Sequence, residues 1–334
     1  MSKQIGLDLG SAHTRIGVRG ENAIKRTPSV VSVRTGTGEI LAVGADAKQM
    51  IGRTPHSVSA IRPVRGGVVD DIEHASLLVG ALFDRIGATS VFRRPTVTAA
   101  IPYGCTETEK RALEDAIFEA GASAVSLIDA PLAAAVGAGM RIGGTGGGMI
   151  VDIGAGRTEI AIVSHGGVIV SGSMPVAGDA FGDAIIRYLA EEQHILIGEN
   201  TAEQVKHKIG SLDPKNDAAS LTISGKSTQM GGALTATVTS GMIRPVLEAI
   251  ADRITSTIRK VMESTPPELA ASLSDFGILM TGGGSLLVGL PEYIGEALDV
   301  RVARSRSPMT DVAAGILQLM ENGELRRYVS ARAR

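Results

Sequence analysis

The sequence predicts a duplicated α/β fold: two related halves that each open on a glycine-turned hairpin and then alternate strands with helices. Three observations predict it. Asp8-Leu9-Gly10-Ser11-Ala12-His13-Thr14 and Asp152-Ile153-Gly154-Ala155-Gly156-Arg157-Thr158 are near copies of one another, which marks two copies of one unit. Strand patterns alternate with helix patterns through both halves, the signature of α/β layers. The run Gly143-Gly144-Thr145-Gly146-Gly147-Gly148 lies just before the second copy, where a linker belongs. At 334 residues the chain is long enough for two domains.

Residues 5 to about 44 read as strand-rich, with Ile16 and Val18 alternating after the first glycine turn. Ala45 to Ile51 reads as helix. Thr96 to Ile101 reads as a buried strand ending at Pro102. Thr106 and Glu109 form a capping box for the next helix, and Gly121 follows its last turn. Ser126 to Ile128 reads as a strand ahead of the helical Pro131 to Gly139. In the second half, Ile160 and Ile162 repeat the alternation of the first hairpin. A helix is predicted over Phe181 to Gln193 and another from Thr201, with Thr201 and Gln204 as its capping box. Short polar strands lie between Leu221 and Val238. The longest helix is predicted over Met242 to Met262, with Pro245 tolerated in its first turn and Pro266-Pro267 preventing extension. Phe276 to Met280 is a short strand that empties into Thr281-Gly282-Gly283-Gly284-Ser285, and a helix follows over Pro291 to Leu298. The expected domains are 1–140 with an insert at about 28–61, and 147–309 with an insert at about 181–240. Residues 310–334 are expected to return to the first domain.

Composition excludes several function classes. The net charge is −2, aromatic residues make up 3% and tryptophan is absent, so nothing points to nucleic acid as a partner. Cys105 is the single cysteine, which rules out a disulfide framework within the chain and fits a reducing cytoplasm. It has no metal-ligand neighbours at suitable spacing and reads as a bystander. No apolar run reaches the ~18 residues that suggest a membrane span. Met1-Ser2-Lys3-Gln4 leads directly into a strand, so no secretion leader is expected.

The chemistry lies in the repeated turns. Glycine lets backbone N–H groups approach an anion closely. The aspartate at each turn's start suits a hydrated Mg²⁺, which takes oxygen ligands and keeps much of its water. Two such hairpins facing each other would clamp a polyphosphate from both sides. Gly282-Gly283-Gly284, between a strand and a helix, reads either as a tight turn or as a wall against an adenosine. It lacks the lysine of a Walker A loop. Glu203 and Lys206 share a helix face, as ribose contacts or as a solvated charge pair.

Further stretches carry a family resemblance. They are Asp8-Leu9-Gly10-Ser11-Ala12, Leu41 to Lys48, Met50-Ile51-Gly52-Arg53-Thr54-Pro55, Arg62-Pro63 with Gly67-Val68-Val69-Asp70, Thr201-Ala202-Glu203-Gln204, and Leu279 to Gly284. On these the chain resembles the actin superfamily, and within it the MreB/Mbl family of bacterial actins, over essentially its whole length. The resemblance implies an actin-like (ribonuclease H-like) fold with ATP and Mg²⁺ in a cleft between two domains. Asp8, Gly10, Ser11, Ala12 and His13 would belong to the first phosphate hairpin, and Asp152, Gly154, Ala155 and Gly156 to the second. Asp8 and Asp152 would hold the metal through water. Glu203 and Lys206 would meet the ribose, and Gly282, Gly283, Gly284 and Ser285 would border the adenine and ribose. The resemblance also implies filaments of the chain itself at the inner face of the cell membrane, organising cell-wall synthesis and cell shape. The implied partners are morphogenesis and wall-synthesis membrane proteins, an anionic membrane surface and a related actin-like protein.

Departures from the family pattern qualify this. Members that hydrolyse ATP usually carry Glu-Glu before the proline of Glu-Glu-Pro-Met-Ala-Ala-Ala, and the second glutamate positions the attacking water. Here the segment is Asp129-Ala130-Pro131-Leu132-Ala133-Ala134-Ala135. Ala130 has no oxygen to orient water, and Asp129, one residue earlier, would face another way. Binding and hydrolysis therefore separate, and turnover is expected to be slow, with Asp129 a weak catalytic candidate. Arg157 replaces a threonine, as a cation near the phosphates or a solvent-facing side chain. His13 replaces an asparagine, in a hydrogen-bonding role or a local turn contact. Val91-Phe92-Arg93-Arg94 pairs two apolar residues with two arginines, which suits an anionic membrane or a loop capping the local core. The rival functions are a nucleotide-dependent scaffold that does not polymerise and a small-molecule kinase of the same superfamily. A chaperone is not expected, for want of a peptide-binding domain.

Overall fold

The computed structural model describes residues 2–21, 23–52, 57–88, 94–143, 148–322 and 330–332. Val91, Phe92, Arg93 and most of the glycine run (144–147) lie outside the described residues.

The first sheet is built from β1 (Gln4–Leu9), β2 (His13–Val18), β3 (Ile24–Pro28), β4 (Thr96–Ile101) and β5 (Ala124–Asp129) in the spatial order β3-β2-β1-β4-β5. The strand Ser330–Arg332 adds to the β5 edge. The second sheet is built from β6 (Gly148–Ile153), β7 (Thr158–Ser164), β8 (Gly167–Met174), β9 (Ile278–Thr281) and β10 (Val302–Arg304) in the order β8-β7-β6-β9-β10. The two orders are the same. In each sheet the first three strands are antiparallel and the last two run parallel to the first. The duplication legible in two seven-residue segments therefore extends to whole sheets.

Apolar alternation explains the strands. Ile5, Leu7 and Leu9 of β1 face one core together with Leu78, Phe83, Val97 and Ile117. Met149, Val151 and Ile153 of β6 face a second core with Phe181, Ile185, Leu247 and Ile254. β7 is buried along its whole length, with Thr158, Glu159 and Ser164 flanking the apolar Ile160 to Val163. Two small sheets pack onto these cores: Val31–Arg34 with Ile40–Val43 and Val58–Ile61 onto the first, and Ile195–Leu196 with Ser220–Ser227 and Ala233–Thr239 onto the second.

Helix α1 (Glu107–Glu119) starts at the expected capping box, where Thr106 Oγ1 accepts the Glu109 N–H at 3.2 Å. Next come α2 (Ala130–Gly137), α3 (Gly178–Glu192), α4 (Glu199–Ile209), α5 (Ser240–Glu263) and α6 (Asp311–Glu321). The capping box expected at Thr201 and Gln204 is not formed. Helix α4 begins two residues earlier, after Gly198, and the Thr201 N–H bonds the Gly198 carbonyl at 3.0 Å. The residue pattern does not mark the helices Ile72–Arg85 and Pro267–Phe276 or α6. The second of these opens on a proline, which reads as a breaker but fits a first helical turn. Helix α6 buries Ala313, Gly315, Ile316, Leu317, Leu319 and Met320.

Helices α2 and α6 follow the equivalent strands β5 and β10 and cross each other between the sheets. They share a core with Ile150 and Ala161. A Cβ on Gly137 would fall inside the radius of the Asp311 carbonyl oxygen, and one on Gly315 inside that of Ala133. Only glycine permits this approach at either position. Gly→Ala in an ordinary helix interior stabilises by ~1 kcal/mol. Gly315→Ala is expected to do the reverse and cost ~2–3 kcal/mol through overpacking, read as a lower denaturant midpoint. An unchanged or higher midpoint would show that the crossing is loose.

Candidate functional site

The two glycine hairpins face each other across a cavity of about 730 Å³ between the sheets, within the size range of small-molecule sites. It lies at the carboxyl ends of the parallel strands, where open α/β sheets bind ligands. Asp8, Gly10, Ser11, Ala12 and His13 line it from one side, and Asp152, Gly154, Ala155 and Gly156 from the other. Glu203, Lys206, Gly282, Gly283 and Gly284 complete the predicted set.

Each turn is fixed by its neighbours. Ser29 Oγ donates to the Gly10 carbonyl at 2.6 Å, and the Ser29 N–H donates to Ala12 at 3.0 Å. In the second turn the Gly154 N–H bonds the Arg157 carbonyl at 3.0 Å. The carbonyls of Gly154 and Ala155 accept the first N–H groups of α3, from Gly178 and Asp179, at 3.0 and 2.9 Å. The N–H groups of Ser11, Ala12, Ala155 and Gly156 have no acceptor among the described residues. Buried or half-buried amides rarely stay unpaired. Four in two facing turns make an anion cradle of the nest type.

The acids are set differently in the two hairpins. Asp8 pairs across the strands with Arg15, whose Nη1 donates at 2.8 Å. Asp152 pairs in the same register with Glu159, another acid. Burial pushes the Asp152 carboxyl up to about 7. Asp8 and Asp311 push the same way, and Arg15 opposes them. Burial and Asp152 push Glu159 up to about 8, against the Tyr103 N–H and Arg157. These two carboxyls hold protons that a cation in the cleft would displace. No group of three or more His, Cys, Asp or Glu side chains able to hold a metal occurs among the described residues. The donor set thus suits a hydrated Mg²⁺ arriving with a polyphosphate, which needs only one or two carboxylates.

Lys206 is largely buried and donates to Glu203 Oε2 at 2.6 Å and to the Gly178 carbonyl at 2.9 Å. It is not part of a solvated pair. Burial pushes the Glu203 carboxyl up, but the hydrogen bonds from His207 and Lys206 outweigh it and hold the group at about 2. His13 is pushed down to about 4 by burial, then by Arg26, Lys48 and Arg15, and stays neutral.

One expectation changes. Ser285 does not line the cavity. It is fully buried, and its Oγ donates to the Gly282 carbonyl at 2.7 Å, closing the glycine turn from behind. Asp129 is also absent from the lining, while Ala130 is part of it. Asp129 precedes α2, and burial pushes its carboxyl up. Arg157 is neither solvent-facing nor free: its Nε donates to the Gly66 carbonyl at 2.6 Å and its Nη1 to Ser173 at 3.1 Å, strapping the second hairpin to the first half. Sequence reasoning missed Arg15, Glu159 and the Arg62–Glu199 pair, which joins the two halves at 2.5 Å. The first two were marked by position, seven residues after each repeated aspartate. Cys105 is half-buried with its thiol pushed up to about 11, chiefly by burial, as suits a bystander.

The MreB/Mbl protein family matches residues 2–327. The chain belongs to the MreB/Mbl family. The cell shape-determining protein Mbl of Bacillus cereus is 38% identical to this family member over 321 residues, 96% of each chain. Among solved structures, MreB5 of Spiroplasma citri bound to AMPPNP superposes with a TM-score of 0.92 at 33% identity, covering 96% of both chains. A MamK double helical filament chain shares the actin-like fold, with a TM-score of 0.81 at 22% identity, covering 96% of this chain and 99% of that one.

The paired acids of the second hairpin predict a pH dependence. Unfolded, both ionise near pH 4. Folded, they keep their protons to about 7 and 8. Between those limits the folded state binds more protons, so stability falls as pH rises. At ~1.4 kcal/mol per unit, the loss from pH 5 to 8 in nucleotide-free protein should be on the order of a few kcal/mol. Denaturant titration of Asp152→Asn/Glu159→Gln should show this slope flattened. A slope equal to that of the parent chain would refute the assignment.

Proposed function

We propose that this MreB/Mbl-family chain binds ATP with Mg²⁺ in the cleft, assembles with copies of itself into filaments, and organises cell-wall synthesis at the inner face of the cell membrane. One observation carries the nucleotide reading: two hairpins from the two halves face one cavity with four unpaired N–H groups. The solved relative bound to AMPPNP supports the same reading. Ser11, Ala12, Ala155 and Gly156 would hold phosphate oxygens through their N–H groups. Asp8 and Asp152 would hold the metal through water. Glu203 and Lys206 would meet the ribose, with Gly282 to Gly284 along the adenosine. Bound Mg²⁺ supplies charge neutralisation on the phosphates.

Filament assembly rests on family membership. Among the described residues no helix is long and apolar enough to cross a membrane, so membrane contact would come from the surface. The stretch Val91-Phe92-Arg93-Arg94 is the proposed contact, on its composition alone. Linked weak contacts along a filament would add through effective concentration. The second reading, a nucleotide-dependent scaffold with little turnover, is kept by Ala130, which places a methyl group on the cavity wall. Electron microscopy of the purified chain with and without ATP separates the two.

Asp8→Ala and Asp152→Ala should each weaken Mg²⁺-dependent ATP binding by ~10–100-fold in calorimetry. Unchanged affinity in both would sink the clamp. Phosphate release should be slow, and Ala130→Glu should raise it ~10-fold or more. No rise, with ATP binding retained, would mean that a carboxylate at this position does not reach the water. Val91→Ser/Phe92→Ser should reduce co-sedimentation with anionic liposomes, after subtraction of pelleting without lipid. Equal pelleting would assign membrane contact elsewhere.

A further inference from the structure

The two hairpins are copies, yet the residue across from the aspartate differs in sign. Arg15 neutralises Asp8 in the first, whereas Glu159 stands beside Asp152 in the second. An acid buried next to an acid is unfavourable by itself. Glu159 is 8% exposed and lines the cavity together with Ala130. Its Oε1 accepts the Tyr103 N–H at 2.9 Å, its one hydrogen bond among the described residues.

That bond locates the carboxyl. Tyr103 lies two residues beyond Ile101, the last residue of β4. Ile101 is in register with Asp129, the last residue of β5. Ala130 is therefore the first residue past the neighbouring strand, and adjacent strands lie ~4.8 Å apart. Tyr103 thus anchors the Glu159 carboxyl at the row of strand ends where residue 130 offers only a methyl group. Asp129, the other acid of that row, is not on the cavity wall.

We propose that Glu159 supplies the water-positioning carboxylate that residue 130 lacks, and is a catalytic residue for ATP hydrolysis in this chain. The inference rests on ATP being the ligand of the cleft. Oε1, held by Tyr103, fixes the group, and Oε2 accepts an O–H of the attacking water. The water oxygen bonds to the γ-phosphorus as the bond from that phosphorus to the β–γ bridging oxygen breaks. The electron pair leaves on the β-phosphate of ADP. One water proton passes through Glu159 to solvent and the other stays on inorganic phosphate. Unlike a glutamate at 130, Glu159 reaches the site from the strand that carries the phosphate turn, so its position follows the closure of that hairpin on the nucleotide.

The test compares the parent chain with Glu159→Gln, Glu159→Asp and Glu159→Gln/Ala130→Glu. ATP affinity is measured by calorimetry and phosphate release in single turnover, with thermal melts for fold. Glu159→Gln should melt no lower than the parent, bind ATP within ~3-fold, and release phosphate at least ~10-fold more slowly. Glu159→Asp should fall between, and Ala130→Glu in the Gln background should restore release, which a merely structural role for Glu159 would not allow. Unchanged release in Glu159→Gln would overturn the proposal. So would loss of ATP binding together with release, failure of Ala130→Glu to restore it, or ATP binding by the parent with no release at all. Absence of ATP binding by the parent would instead overturn the nucleotide reading, and this inference with it.

Discussion

The structure depends on the crossing of α2 and α6. These helices follow equivalent strands in the two sheets, and they meet at Gly137 and Gly315 with backbone against backbone. Any side chain at either point would push the halves apart. The contact is reinforced by a small-residue core of Ala133, Ala134 and Ala135 against Ile316 and Leu319. It sets how far apart the two sheets stand, and so sets the width of the cleft. Because close packing tolerates little change in volume, the crossing favours one spacing and concentrates any relative motion of the halves in rotation about it.

Above the crossing, polar links rather than apolar packing connect the halves. Arg157 reaches the Gly66 carbonyl, Glu159 accepts the Tyr103 N–H, and Arg62 pairs with Glu199. Polar links of this kind exchange readily with water when exposed, so the cleft can open while the crossing holds. Most of them involve residues of the phosphate turns or their flanks. A ligand seated between the turns would therefore act on the same groups that join the halves.

The electrostatics of the wall follow from a difference between two copies of one motif. The first hairpin carries Asp8 with Arg15 and is internally balanced. The second carries Asp152 with Glu159 and is not, so its acids retain protons in the neutral range. The anion cradle is thus bordered by one neutralised and one proton-holding carboxyl pair, and a divalent cation would find its most responsive ligand on the Asp152 side. Duplication supplied the geometry, and divergence at the position seven residues after the aspartate supplied the chemistry.

The sequence by itself determined the duplicated hairpins, most strands and the longest helix, because strand period and glycine turns are local and leave local marks. It also placed Asp8, Asp152, Glu203, Lys206 and the glycine turns as candidates that the fold then gathers around one cavity. The start of α4 at Gly198 carried no side-chain cap to read. Only the tertiary structure decided that Ser285 faces inward and that Arg157 is a strap. It alone brought Glu159 to the strand ends beside Ala130. The physical reason for the last two is the same. Each side chain's role depends on what lies across the cleft, Gly66 for Arg157 and Tyr103 for Glu159, 91 and 56 positions away, and no local period records that neighbour.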